Sequence, residues 1–362
     1  GFIVCVLKEF SMLLAILGTF VLSLVFCPLI IKICKRLSLY DEVDPRKIHT
    51  GNIPRLGGIA VFASLLIVWF FVRFVFKIVV LSSYWPLFIG FAIILIFGIL
   101  DDIFNMRAKL KFLMQICAAL VVSVSPYHFT TFLYWKFPPF VGEILTFFWI
   151  ISIVNAYNLI DGMDCVCSGI SFFACLSIGF MLFKAHNGMS LIYFMLCASL
   201  LGVMYWNKPN AKIFLGDGGS QSLGYLIAVS PFFFFDNPRF NFREIPMMVL
   251  MCSIPLTDVI AAVWRRLREH RKIFSPDRAH IHHKLLNIGF SKNAAILFLL
   301  LIQATVTLAI IISYFMKDLA AICLMAFCLI FVWLIFITFH YLNRAVNLSH
   351  KGKLEDHPMA EH

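Results

Sequence analysis

The sequence predicts an all-α, polytopic integral membrane protein, and three observations carry that prediction. The chain is 61% hydrophobic and only 14% charged, whereas soluble domains run near about 25% charge and about 45–50% apolar residues. Its mean hydropathy is +0.92. Apolar stretches of about 20 residues, the length a helix needs to cross ~30 Å of hydrocarbon, recur from end to end, which excludes one large soluble core.

The expected spans number about eleven, near 11–31, 57–76, 85–100, 112–126, 142–157, 169–184, 190–205, 221–235, 245–263, 294–315 and 320–341. The first reads as a retained helix, because no short signal core with a small-residue cleavage site follows. Several spans are short for the hydrocarbon thickness. Short spans beside polar loops point to a site sunk into the membrane face, where irregular backbone is buried in protein or lines a wet cavity.

Charge sets the expected orientation. Of 30 Lys and Arg, 22 fall in the alternate loops 32–56, 101–111, 158–168, 206–220 and 264–293 and in the tail from 342. The positive-inside rule makes these loops cytoplasmic, with the N-terminus outside and the C-terminus inside. Asp101, Asp102, Asp161, Asp164 and Asp217 lie on that same face, and Asp258 about one turn inside the ninth span. The one-sided chemistry and the lack of an internal repeat count against a transporter, which more often places ionisable groups at the midplane of repeated halves. The eleven Cys lie mostly within apolar runs, where they act as small hydrophobes, and no CxxC pair suggests zinc.

Four polar stretches interrupt this pattern. They are "GILDDIFNMRAKLKF", "NAYNLIDGMD", "KIFLGDGGSQSLG" and "RRLREHRKIFSPDRAHIHHKLL". Taken singly, each has a plain structural reading as helix caps, turns or a topology anchor. Together on one face they form a coherent chemistry. Hard carboxylate oxygens suit Mg²⁺ or Mn²⁺. Lys, Arg and His suit phosphate oxygens. Gly218 and Gly219 let backbone N–H groups approach an anion at a helix start. These are the components of metal-assisted transfer of a phosphoryl-type group.

The motifs "DDIFN", "NAYNLIDGMD", "FLGDGGS" and "HIHH", in that order, resemble the polyprenyl-phosphate N-acetylhexosamine-1-phosphate transferase superfamily, the glycosyltransferase 4 family. "HTGNIPRLGGIAVF", with Pro54, Gly57 and Gly58, is similar to that family's entry to its second helix. "PDRAHIHH" and the eleventh span resemble the polysaccharide-initiating branch. The resemblance implies a single transmembrane catalytic domain over 1–341 and a cytoplasmic tail over 342–362.

It further implies transfer of a sugar-1-phosphate, expected to be GlcNAc-1-phosphate, from a UDP-sugar to undecaprenyl phosphate with release of UMP. That would be the first membrane step of a cell-surface polysaccharide such as O-antigen, at the cytoplasmic face of a bacterial plasma membrane. The alternatives are the phospho-MurNAc-pentapeptide transferase of peptidoglycan synthesis and a cation-coupled transporter.

The residue roles it implies are as follows. Asp217 and Asp164 hold Mg²⁺, with Mn²⁺ as substitute. Asp101, Asp102, Asp161 and Lys111 are catalytic. Asn105, Asn155, Asn158, Phe214, Arg278, His280, His282 and His283 bind substrate, with Phe214 stacking on uracil and Arg278 and His280 reading the sugar. A phosphate monoester is largely dianionic at neutral pH, so direct attack on the diphosphate is expected rather than a covalent aspartyl intermediate. The partners are a UDP-N-acetylhexosamine, undecaprenyl phosphate and membrane lipid; nucleic acid is not expected, and a homodimer is left open. One departure stands out: Asp164 is followed by Cys165, where the family pattern has Gly. Cys is disfavoured at positive φ, where Gly is at ease.

Overall fold

A computed structural model describes residues 2–40, 53–76, 83–132, 135–234, 243–270 and 280–355. Thirteen α-helices account for nearly all of them: α1 Phe2–Leu37, α2 Gly57–Phe76, α3 Trp85–Phe104, α4 Ala108–Ser123, α5 Pro139–Ile160, α6 Val166–Lys184, α7 Met189–Asn207, α8 Gly216–Val229, α9 Glu244–Met251, α10 Ser253–Arg268, α11 Ile281–Asn287, α12 Lys292–Tyr314 and α13 Asp318–Glu355. A two-residue antiparallel ladder, Thr131–Phe132 with Trp135–Lys136, is the non-helical element the sequence did not announce.

Eight of these helices are long and apolar enough to cross a membrane. Their outward faces are apolar, as lipid requires. On α1 the exposed Leu13, Leu17, Val21, Val25 and Leu29 recur every four residues, one ridge of a 3.6-residue helix. The protein is thus a polytopic, all-α membrane protein, with the short ladder the one strand pair among the described residues.

The remaining expected spans depart from simple crossings. The segment expected as one span over 245–263 is two helices, α9 and α10, meeting at 74°. Pro255 lies in the first turn of α10, where its missing N–H costs little, but it could not continue α9. α4 and α8 have only 16 and 14 residues.

α8 is buried along its length apart from Asp217, which is half-buried, because α2, α3, α5 and α6 surround it. It meets protein rather than lipid, so it need not match the bilayer. It ends where Pro231 forces a 3₁₀ turn over Ser230–Phe234. Pro231 cannot donate to the Ile227 carbonyl, and Ser230 Oγ does so instead at 2.9 Å.

The close approach around α8 rests on glycine. A Cβ on Gly58 of α2 would stand 2.4 Å from Gly219 N, and one on Gly98 of α3 would stand 2.6 Å from Gly218 Cα. Small residues let helix backbones touch where no hydrophobic effect separates protein from lipid. Polar aromatic groups tie the far end of α8. Tyr225 Oη donates to Leu87 O at 2.8 Å, Trp149 Nε1 to Ala228 O at 3.0 Å and Tyr193 Oη to Leu226 O at 2.7 Å.

Candidate functional site

Three backbone segments converge at the start of α8. The strand-like stretch before α2 pairs with the one before α8: Phe214 N donates to Pro54 O, Gly57 N to Phe214 O and Gly58 N to Leu215 O, at 2.7–2.8 Å. This clasp carries Arg55 and Phe214 to the same edge. The C-terminal turn of α3 brings Asp101 and Asp102.

Asp102 is the unexpected element. Its side chain is almost fully buried. Its two oxygens accept from Asp217 N and Gly218 N, each at 2.8 Å. The anion at this helix start is therefore the protein's own carboxylate. Gly218 N–H thus meets an anion at the helix start, as the sequence suggested, and that anion belongs to the protein itself.

Lys111, in the first turn of α4, binds both neighbouring acids. Its Nζ pairs with Asp101 Oδ2 and lies 3.1 Å from Asp217 Oδ2. Arg55 reaches Asp217 Oδ1 at 3.5 Å and Asp102 Oδ1 at 4.0 Å. Asp161 completes the group from the end of α5. Burial, then the charges of Asp217 and Asp102, push its carboxyl well above the usual carboxylate range, and Arg55 and the Gly216 N–H offset this in part.

Four carboxylates, Asp101, Asp102, Asp161 and Asp217, thus face two cations, Arg55 and Lys111. With all four carboxylates ionised the cluster would carry an excess of two negative charges on hard oxygens, a state that a divalent cation such as Mg²⁺ would favour. Among the described residues no cluster of three His, Cys, Asp or Glu forms a closed metal cage.

Asp164 has other partners. Its Oδ2 accepts from Lys292 Nζ at 2.6 Å and from Ala211 N at 3.3 Å. Cys165 after it adopts φ 59°, the left-handed conformation that the sequence flagged as suited to Gly. It is held there by Cys165 N donating to Asn207 Oδ1 at 2.8 Å.

The histidine helix α11 closes the other side. Asp258 of α10 holds it: His280 Nδ1 lies 2.7 Å from Asp258 Oδ2, and Ile281 N donates to Asp258 Oδ1 at 2.8 Å. A carboxylate only accepts, so His280 carries its proton on Nδ1 and turns Nε2 away from Asp258. The His282 ring stacks on His280 with centroids 5.9 Å apart and lies 4.4 Å from that of His283. A Cβ on Gly162 would stand 2.9 Å from His282 Nε2, so Gly162 admits the ring beside Asp161. Burial, then the charge of His283, lowers the His282 pKa to about 3, so its imidazole is neutral at physiological pH.

The asparagines divide. Asn105 caps α3 in the left-handed conformation (φ 49°), turning the chain toward α4, with its side chain exposed. Asn155 Nδ2 donates to Gln115 Oε1 at 2.7 Å, and Gln115 Nε2 to Gln221 Oε1 at 3.0 Å, a buried amide chain linking α5, α4 and α8. Asn158 is half-buried in the last turn of α5, its carbonyl accepting from Asp161 N at 3.3 Å. Phe214 is half-buried beside Asp217. Arg278 lies outside the described residues.

Sequence reasoning did not select Arg55, Asp258, Gln115 or Lys292. Arg55 had a usable signal: it is the one cation inside "NIPRLGG", beside glycines already singled out. Asp258 was visible as an acid within an apolar span.

Comparison with known proteins adds the family. The model of glycosyl transferase family 4 matches residues 84–234, which include the first three polar motifs. The Bacillus subtilis (strain 168) protein named "Probable undecaprenyl-phosphate N-acetylglucosaminyl 1-phosphate transferase" is 32% identical over 290 residues, covering 77% of this chain and 78% of that one. The Escherichia coli (strain K12) "Undecaprenyl-phosphate alpha-N-acetylglucosaminyl 1-phosphate transferase" is 31% identical over 291 residues, 75% of this chain and 76% of its own. The protein of the same name from Salmonella typhi is 30% identical over 317 residues, 82% and 83%. With likeness of that degree running through about three quarters of both chains, this chain belongs to glycosyl transferase family 4.

Proposed function

We propose that this protein transfers GlcNAc-1-phosphate from UDP-GlcNAc to undecaprenyl phosphate, giving undecaprenyl-diphospho-GlcNAc and UMP. The observation that carries the reading is the cluster of Asp101, Asp102, Asp161 and Asp217 with Arg55 and Lys111 at the end of membrane helix α3. Relatives covering most of the chain bear the name of this reaction, and the relatives cited carry neither the peptidoglycan translocase nor a transporter name. The preferred orientation has the N-terminus outside and about eleven crossings, with α4, α8 and the bent α9–α10 pair counted, so that the cluster faces the cytoplasm and its nucleotide sugars.

Each side chain has a task in this scheme. Asp217 is the preferred Mg²⁺ ligand, with Asp101, which shares Lys111 with it, and Asp161 as further candidates; Asp164, the second ligand expected from the sequence, is engaged by Lys292. When bound, the ion would supply charge neutralisation at the diphosphate. Lys111 and Arg55 are placed to draw phosphate oxygens to the same point. Phe214 offers an aromatic face for the uracil, and Asn158, His280, His282 and His283 border the side from which the sugar would enter.

Asp102 supports direct attack. A carboxylate whose two oxygens already accept backbone N–H groups would have to abandon the start of α8 to become a nucleophile. The dianionic lipid phosphate needs no strong base.

The test is a panel assay of purified protein with Mg²⁺, undecaprenyl phosphate and UDP-GlcNAc or UDP-GalNAc. UMP release dependent on the lipid and fastest with UDP-GlcNAc is expected. Lipid-independent UMP release, or none with any donor, overturns the reading.

A further inference from the structure

A second concentration of positive charge lies away from the aspartate cluster, between α10, α11 and α13. There a groove of about 620 Å³ is lined on its apolar side by Ile260, Trp264, Trp333, Phe336 and Ile337. It continues into a space of about 680 Å³ lined mainly by charged and amide-bearing residues. Arg265, Arg268, Lys284 and His340 line both parts, and Arg344 joins them in the second. Among the described residues the single acid lining it is Glu269.

The geometry points to a binding site for an anionic glycerophospholipid of the surrounding bilayer, with its phosphate among the cations and an acyl chain along the aromatic wall. Three features favour that occupant. Among the described residues four cations, Arg265, Arg268, Lys284 and Arg344, line the space against one acid, so the polar end is complementary to a phosphate ester. The other end is apolar and open, with Trp264, Trp333 and Tyr341 being 69%, 44% and 61% exposed, Trp333 and Tyr341 on the apolar helix α13. The combined space is larger than an inorganic anion needs and of the size of a pocket for a lipid headgroup with the start of its chain. A soluble anion would leave the tryptophans unexplained, and a zwitterionic lipid would leave the charge excess unexplained.

The site has a mechanical link to α11. Lys284 is buried on that helix, one turn after His280, and Lys284 N donates to His280 O at 3.1 Å. Asn287 Nδ2 reaches Asn343 Oδ1 and Asn347 Oδ1 of α13 at 2.7 and 3.0 Å. A phosphate drawing Arg268 of α10, Lys284 of α11 and Arg344 of α13 to one point would brace the histidine helix against its neighbours. This inference does not depend on the reaction proposed above.

The experiment is native mass spectrometry of the delipidated full chain, titrated with phosphatidylglycerol, with phosphatidylcholine of the same acyl chains, and with undecaprenyl phosphate. The wild type should retain phosphatidylglycerol at least roughly tenfold better than phosphatidylcholine, and the exposed double substitution Arg268→Ala/Arg344→Ala should remove most of that preference. The double variant should keep the wild-type melting temperature in phosphatidylcholine nanodiscs and lose only the increment given by phosphatidylglycerol. Equal retention of the two phospholipids, or unchanged phosphatidylglycerol retention in the variant, overturns the inference. Displacement of phosphatidylglycerol by equimolar undecaprenyl phosphate overturns it too, by giving the groove to the polyprenyl lipid.

Discussion

Asp102 and Asp217 meet as carboxylate and backbone N–H, 2.8 Å apart, although 115 residues separate them in the chain. A side chain from α3 thus closes the start of α8 and sets the direction in which the Asp217 carboxylate leaves it.

Replacing Asp102 by Asn tests that relationship. Asn offers one acceptor to two N–H donors, so one buried donor loses its partner, at a cost of roughly 1.5–3 kcal/mol for a bond to a charged group. The melting temperature in detergent should fall, and turnover should fall with it as Asp217 shifts. A variant that keeps the wild-type melting temperature but has no activity would assign Asp102 to the substrate instead.

Cys165→Gly should stabilise the protein. A left-handed residue with a Cβ costs roughly 1–2 kcal/mol, part of which the freer unfolded glycine chain returns, leaving a gain of roughly 0.5–1 kcal/mol. Cys165→Ala keeps the Cβ and should give no gain. Thermal unfolding of the two variants side by side decides it; equal melting temperatures would show that φ 59° carries no strain.

Asp161 makes stability depend on pH and metal together. Its folded pKa is raised by burial and by Asp217 and Asp102, so the folded state holds this proton more tightly than the unfolded state. Its stabilising effect is complete below the ordinary carboxylate pKa and is lost as pH rises through the raised value. With EDTA, the melting temperature should therefore fall as pH is taken from about 5 to about 8, and added Mg²⁺ should raise it more at the upper pH. The same Mg²⁺ increment at both ends would sink the assignment of this cluster to a divalent ion.

His282 acts in the opposite sense. Its folded pKa, lowered to about 3 by burial and by His283, lies below the unfolded value of about 6.5. The stability it contributes is present above about pH 6.5 and drains away as pH falls toward about 3. With Mg²⁺ saturating, the acid slope of the melting temperature between those limits should shrink in His282→Gln. An unchanged slope would place the acid sensitivity elsewhere.

Much of this was legible in the sequence, for reasons that differ by element. The membrane helices could be read because lipid demands long apolar runs, and α1 shows that demand on its outer face. Asp101, Lys111 and Asp217 could be singled out because several polar interruptions fall on one face, although each alone has a plain structural reading. The break between α9 and α10 was hidden, since Pro255 reads equally well as the start of a helix or as a tolerated kink. The pairing of Asp258 with His280 was hidden because nothing local joins positions 22 residues apart. Arg55 was passed over because its neighbours Gly57 and Gly58 have the more conspicuous role. Cys165 gave the opposite lesson: the sequence flagged the strained position, and the backbone adopts it despite the side chain.

The glycine seam has a consequence for how this enzyme could be re-engineered. At the level of the aspartates, α2, α3 and α8 touch backbone to backbone, so no side chain there can yield to a new ligand. Any methyl group added at residue 58 or 98 must push main chain aside. A library randomised along that seam should return almost nothing but the parent. The same library aimed at residues 162–165 and 280–283, where side chains and a single turn of helix form the wall, has material to work with. If the proposed reaction holds, altered donor preference should be sought on that side, with the glycine seam treated as fixed scaffold.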